Sequence, residues 1–336
     1  MSWFNFSFHD FAVSFLSVVF EGIPFLLLGA LISGLVDVFV SADRVTRLLP
    51  GRSGPAIFAS GLLGLIFPIC ECGSVIVIRR FLKKGLPLSC ATAYMLGAPI
   101  VSPIVALSTW EAFGQSVEPG PLLMVSLRLG IGYMLAVAVA FLVHHLPHER
   151  ILQPGIIGGA RRRGGLSITS DPGTEKALPQ EFTDLVATAS MPRRLLMAVQ
   201  SATADFLDVA FYFVIGAAIT CLFNTGVRQE VLAPLAASPL LGISSLMVLA
   251  AMLGLCSTTD AFIAWTFTSF SSGAKLAFLL FGPMFDFKLL WLYGLVFQKR
   301  FVLVFAIGLF IVIALLCWRL DALQVFGGRV TMPPTL

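Results

Sequence analysis

Phe67-Pro68-Ile69-Cys70-Glu71-Cys72-Gly73-Ser74 lies inside an apolar run that extends from Pro55 to Ile78. Pro68 removes a helix hydrogen bond and Gly73 tolerates irregular backbone, so the octapeptide reads as a break in a hydrophobic helix. Glu71 decides the fold class. A carboxylate in an apolar run of spanning length is costly unless it faces a protein interior or a polar cavity. The stretch therefore predicts an all-α polytopic membrane protein with broken helices near the bilayer midplane.

The rest of the chain agrees. Of 336 residues, 57% are hydrophobic and 12% charged, with 30 Phe and 30 Gly. Soluble domains carry about twice that share of charge, so a soluble enzyme and a disordered chain are both excluded. The net charge of +4 is read as loop charge, and nothing points to nucleic acid. The segment before Asp10 has no basic residue and no cleavage motif, so the first apolar stretch is expected to be a retained span.

Eight segments reach the roughly 20 residues that a bilayer core demands: Phe11–Val40, Pro55–Ile78, Leu86–Trp110, Pro121–His145, Leu195–Phe223, Pro239–Phe267, Ala274–Phe297 and Phe301–Arg319. Runs this long, without strict alternation, argue against a barrel. The expected organisation is a first four-span repeat (1–146), a cytoplasmic linker rich in Gly, Pro, Ser and charge (147–194), a second four-span repeat (195–320) and a tail (321–336). With eight crossings, 14 of the 22 Lys and Arg fall on the face holding both termini and the linker, against 6 on the other. That split predicts both termini in the cytoplasm and the chain in a bacterial inner membrane.

The halves echo each other. Glu21-Gly-Ile-Pro-Phe-Leu-Leu-Leu-Gly29-Ala-Leu-Ile-Ser33 resembles Asp208-Val-Ala-Phe-Tyr-Phe-Val-Ile-Gly216-Ala-Ala-Ile-Thr220 at an offset of 187. Ala93-Tyr-Met-Leu-Gly-Ala-Pro99 resembles Ala277-Phe-Leu-Leu-Phe-Gly-Pro283. A Cys-containing polar break precedes each: Cys70–Ser74 in one half, Cys256-Ser257-Thr258-Thr259-Asp260 in the other. Paired interruptions at matching places point to a transporter site. Four crossings per half give parallel repeats; a re-entrant segment in each half would invert them, and the sequence leaves both open.

The site residues follow from the breaks. Cys70, Cys72 and Cys256 are candidate ligands for a soft metal or metalloid, as thiolates favour such ions. Glu71 and Asp260 are candidate charge or proton sites. Ser74, Ser257, Thr258 and Thr259 would line a polar cavity or cap the broken helices. Gly97, Pro99 and Ser102 form a second break in the first half; Pro283, Asp286 and Lys288 form its counterpart. Asp286 and Lys288 are two apart and would meet only in an unwound stretch. Glu21 and Asp208 are intramembrane acids at equivalent places, and Arg128 is expected to pair with one of them. Arg79, Arg80, Lys83 and Lys84 read as loop charge, and His144-His145-x-x-His148 as a minor metal-spacing motif. Cys90, Cys221 and Cys317 read as small packing residues.

At these residues the sequence resembles a family of predicted bacterial permeases related to the methylarsenite efflux permease ArsP. The motifs are Phe67–Ser74 followed by Arg79-Arg80-Phe-Leu-Lys-Lys-Gly85 and Gly97–Pro103, and Cys256–Ala264 followed by Leu276–Asp286. The resemblance implies an inner-membrane transporter of about eight spans, in which Cys70 and Cys72 match a cysteine pair and Cys256 a cysteine of the second half. Glu71 stands where the arsenical and Cu/Zn branches have Ser, which separates this chain from them.

The leading expectation is a secondary permease that effluxes a soft metal ion, metalloid or other small solute, with no resident cofactor. The alternatives are a membrane-embedded thiol enzyme and a non-transporting scaffold. The enzyme would need a base near its thiol, and no His lies inside a span. Partners are the lipid bilayer and the solute, with a second membrane protein or a homo-oligomer left open.

Overall fold

The computed structural model describes residues 8–39, 53–67, 69–83, 85–114, 120–147, 151–153, 190–226 and 238–326. Most of the expected linker, including Gly159 and the Arg161–Arg163 triplet, lies outside them. So do Pro68, Lys84, His148 and the tail beyond Phe326.

The described chain is mainly helical, and five helical segments are long and apolar enough to cross a membrane, one of which, Ser272–Tyr293, is interrupted at Phe285–Asp286. Four expected spans are single helices: α1 (Phe8–Phe39), α6 (Pro121–His145), α7 (Met191–Gly226) and α12 (Lys299–Ala322). The other four are each divided in two. They are α2 (Ser53–Leu62, extended by a 3-10 turn, Leu63–Leu65) with α3 (Glu71–Lys83); α4 (Leu88–Gly97) with α5 (Pro103–Phe113); α8 (Pro239–Leu253) with α9 (Asp260–Thr266); and α10 (Ser272–Met284) with α11 (Phe287–Tyr293). The order long, divided, divided, long thus occurs twice.

Side-chain contacts fix the helix directions. α1 and α7 are antiparallel: Gly22 meets Phe213, Ser33 donates to Asp205 at 2.8 Å, and Asp37 accepts from Ser201 at 2.9 Å. α3 runs parallel to α1, since Gly73 sits at Gly29 and Arg80 reaches Asp37 at 3.1 Å. α2 runs the opposite way to α3. It lies antiparallel to α6, with Gly54 at Phe141 and Gly61 at Tyr133, and its end meets the α4–α5 break, with Gly64 against Ala98 and Val101. Residues 53–83 therefore form a hairpin that enters the bundle and returns. Neither limb, at about 20 Å or less, is long enough to cross a bilayer core.

Residues 239–271 repeat this path. α8 runs alongside α10, with Ala250 at Gly282, and the chain must come back past α9 for α10 to begin. By contrast, α4–α5 and α10–α11 each continue in one direction through their breaks. Gly132 of α6 meets Ile100 while Arg128 meets Thr109, and Gly273 meets Asp321 of α12 while Phe281 meets Phe310 edge to face.

Two expectations change. The segments 55–78 and 239–267 are hairpins of two short helices each and not single helices of spanning length. Phe8 and Ala322 consequently lie at one end of the bundle (the near end) and His145 and Met191 at the other (the far end), whereas the expectation had the helix ends next to the termini and the linker on one face. At the far end Ile151–Gln153 bridges to the α11–α12 turn: Gln153 N donates to Val296 O at 3.0 Å and Gln298 N to Ile151 O at 2.8 Å.

The outer surface is apolar, with Val304, Leu142, Leu122 and Phe211 more than half exposed, while Glu71, Arg128, Asp260, Asp286 and Lys288 are buried. Charge inside and apolar residues outside is the arrangement that a lipid solvent selects.

Candidate functional site

The two hairpin tips meet. A cavity of about 30 Å³, room for about one water, is lined by Cys70, Glu71 and Cys72 from the first tip and by Gly254, Leu255 and Cys256 from the second. Lys288 of α11 and Glu21 of α1 complete its polar wall; Val18, Phe25 and Phe213 supply apolar sides.

The backbone explains the convergence. Cys70 Sγ accepts from Gly73 N at 3.3 Å and so caps α3, while Ser74 Oγ donates to Glu71 O at 2.8 Å. The caps hold Glu71 in the first turn of α3, 2% exposed. A Cβ on Gly29 would lie 2.8 Å from Gly73 Cα, and one on Gly216 would lie 2.9 Å from Lys288 Cα. Glycine at these two positions, which the offset of 187 pairs, lets α1 and α7 press directly on the backbone of α3 and α11.

Lys288 Nζ is 3.7 Å from Glu71 Oε1 and 3.6 Å from Asp286 Oδ2. Asp286 Oδ1 accepts from Leu289 N at 2.6 Å and so caps α11. Glu71 Oε2, Asp286 Oδ2 and Thr220 Oγ1 are buried and find no hydrogen-bond partner among the described residues. Thr220, Lys288 and Asp286 all come within 4 Å of the position a Cβ on Gly254 would take. Gly254 itself is left-handed, φ +55°, where α8 stops.

Asp260 is elsewhere. Arg128 Nη2 donates to its two oxygens at 2.9 and 2.7 Å and to Ser257 O at 2.9 Å, while Nη1 donates to Thr109 Oγ1 at 2.7 Å. This group joins α5 and α6 to the second hairpin, on the near-end side of the cavity. Arg128 thus pairs with Asp260 and not with Glu21 or Asp208 as expected, and Glu71 lies beside Lys288. Thr259 Oγ1 donates to Cys256 O at 3.1 Å and to Glu21 Oε1 at 3.3 Å; Thr258 is half-buried beside it.

The remaining expected residues are buried away from the cavity. Gly97 packs on Gly61 and Pro99 lies in the turn after α4. Ser102 caps α5 by accepting from Ile104 N at 3.3 Å, and Pro283 sits inside α10. Among the described residues, no group of three His, Cys, Asp or Glu is placed as a metal-binding set, His144 and His145 included.

Arg80 is not loop charge. Its Nε and Nη2 donate to Asp205 at 2.7 and 2.8 Å and Nη1 to Asp37 at 3.1 Å, with Ser33 and Ser201 on the same carboxylates. The cluster ties α1, α3 and α7 together on the far-end side. Its signal was available in the spacing: Glu21, Phe25, Gly29, Ser33 and Asp37 recur every four residues, one face of α1. Arg79 pairs with Asp208 at 3.4 Å at the surface, so Asp208 does not play the part of Glu21.

No solved structure matches this chain. It is 34% identical over 294 residues to UPF0718 protein YcgR of Bacillus subtilis strain 168, covering 86% of this chain and 89% of that protein. It is 31% identical over 311 residues to a Streptococcus mutans protein named as a proposed subunit of a two-component membrane permease complex, covering 92% and 94%. A family model, ArsP_1, described as a predicted permease, matches residues 7–318. With that match running through both hairpins, both long-helix pairs and every residue of the central cavity, the chain belongs to this family of predicted membrane permeases.

Proposed function

We propose that the protein is a secondary permease that passes a small, soft solute through the cavity between the hairpin tips. The observation that carries this reading is the meeting of Cys70, Cys72 and Cys256, from opposite halves, around one small cavity that Glu71 and Lys288 also line. Irregular backbone at membrane depth is tolerated where it lines such a site. Sulfur ligands that line a path without forming a closed set suit transient passage of a soft ion or metalloid better than a resident metal.

In this reading each half contributes three crossings and one re-entrant hairpin, and the halves are inverted. Arg80 with Asp37 and Asp205 closes the far-end side of the cavity; Arg128 with Asp260 closes the near-end side. Alternating access requires one cluster to part while the other holds. Assigned by the helix ends they adjoin, 16 of the 22 Lys and Arg belong to the far end and 4 (Arg228, Lys275, Arg319 and Arg329) to the near end. That bias supports a linker on the cytoplasmic side of a bacterial inner membrane and both termini on the opposite side.

Flux into proteoliposomes of Zn²⁺, Cu⁺ and a trivalent arsenical, measured per folded protein, tests the site. Cys70→Ser with Cys72→Ser is expected to lower flux of the transported ion at least tenfold, and full activity at normal folding removes the thiols from the path. An impermeant thiol reagent on intact cells tests the orientation: a single Cys at Gly159 in a cysteine-free background is expected to be protected, and one introduced at Ser2 labelled.

A further inference from the structure

Lys288 and Glu71 line the thiol cavity, and beside it, outside its lining, lie Asp286 and Thr220. Asp286 Oδ2 and Thr220 Oγ1 are fully buried and without partners among the described residues, as is Glu71 Oε2 on the facing helix. With both acids ionised, Glu71, Asp286 and Lys288 would together carry a charge of −1, and a buried charge is retained only when something compensates it. The Lys288 ammonium does not complete the pairing, because at 3.6 and 3.7 Å it is outside hydrogen-bonding distance of either acid. The chain termini of two helices converge on the same spot. α8 stops at Gly254 and α10 stops just before Asp286, and the C-terminal end of a helix carries negative partial charge. Half-helix C-termini with unwound carbonyls are a recurrent cation site in transporters. The N-termini of α3 and α11, of opposite sign, lie at Glu71 and Asp286 and share their charge through Cys70 and Asp286 caps.

We propose that Asp286, Thr220 and Glu71 form a second site beside the thiols, which binds one small, hard monovalent cation, Na⁺, as the coupling ion of the permease. Several neutral and anionic oxygens suit a hard cation, whereas thiols suit a soft one. Lys288 stands between the two sites. Its ammonium is the tethered counter-ion when Na⁺ is absent, and it withdraws toward Glu71 when Na⁺ takes its place beside Asp286. Solute and Na⁺ thereby act on one side chain, which gives their binding a physical means of coupling.

The coupling role rests on the permease reading; the binding site does not, and an equilibrium measurement separates them. The full chain, purified in detergent, is unfolded thermally at constant pH and ionic strength in NaCl, KCl or choline chloride. A ligand that binds only the folded state raises the midpoint as its concentration passes Kd. The expected result is a rise that saturates with Na⁺ and is absent with choline. Asp286→Asn and Thr220→Val should each weaken the apparent Na⁺ affinity at least tenfold, while Thr220→Ser, which keeps the hydroxyl, retains it. Equal midpoints in NaCl and choline chloride at all concentrations overturn the proposal and leave the cluster neutralised by a proton. Retention of the Na⁺ effect in folded Asp286→Asn also overturns it. If Na⁺ binds as expected but no ion moves in proteoliposomes, the permease reading fails and the site stands.

Discussion

Arg128 and Lys288 are both buried bases that meet acids of broken segments, and they are held in opposite ways. Arg128 spends four hydrogen bonds of 2.7–2.9 Å on Asp260, Ser257 and Thr109. Lys288 stands 3.6 and 3.7 Å from its two acids, beside a cavity, with orphaned carboxylate oxygens on both. A planar guanidinium fixed through Nη1 and Nη2 to three residues makes a rigid joint, while an ammonium on a flexible stem can trade partners. The difference assigns Arg128 to holding the halves together and Lys288 to the events in the cavity. The sequence alone gave Asp260 and Glu71 equal weight, and only the partner of each separates them.

The sharpest way to break this contrast is Arg128→Met. Removing one partner of a buried ion pair leaves the other uncompensated, at a cost of about 3–5 kcal/mol. A large fall in the unfolding midpoint and in folded yield is expected. The double variant Arg128→Met/Asp260→Leu should recover much of it, and a failure to recover would mean that Thr109 and Ser257, not the charge pair, dominate.

Next in size is Gly29→Ala. Its Cβ would meet backbone at Gly73, which cannot turn aside, so α1 must move off α3 at about 1–3 kcal/mol. The same change at Gly308, which faces open space, should be within about 0.5 kcal/mol of wild type or stabilising. Equal midpoints for the two variants would dissolve the close α1–α3 contact on which the cavity depends.

The smallest effect on stability is expected from Lys288→Met. With no short hydrogen bond to lose, its midpoint should fall by less than half as much as that of Arg128→Met. Flux should fall at least tenfold, because the base that solute and cation share is gone. A Lys288→Met protein that transports normally, or one that unfolds as readily as Arg128→Met, would place both bases in the same structural class.

What the sequence determined is the solvent and the ingredients. Long apolar runs with few charges require a bilayer, because no water-facing surface can be made from them. Pro and Gly beside Cys70–Ser74 and Cys256–Asp260 mark where the helices break, since those residues act locally. Tertiary structure decided which breaks are crossings and which are returns. A break at Phe285–Asp286 lets the chain continue, whereas breaks at 66–70 and 254–259 reverse it, although all three occur in apolar segments of similar length. Hydropathy cannot tell these apart, because a hairpin of two half-helices and one full helix bury the same residues. Direction is set by contacts between segments far apart in the chain, such as Gly29 with Gly73 and Ser33 with Asp205. The same holds for charge: Arg80 looks like loop charge until α1 and α7 bring Asp37 and Asp205 to it, because pairing is a property of neighbours in space.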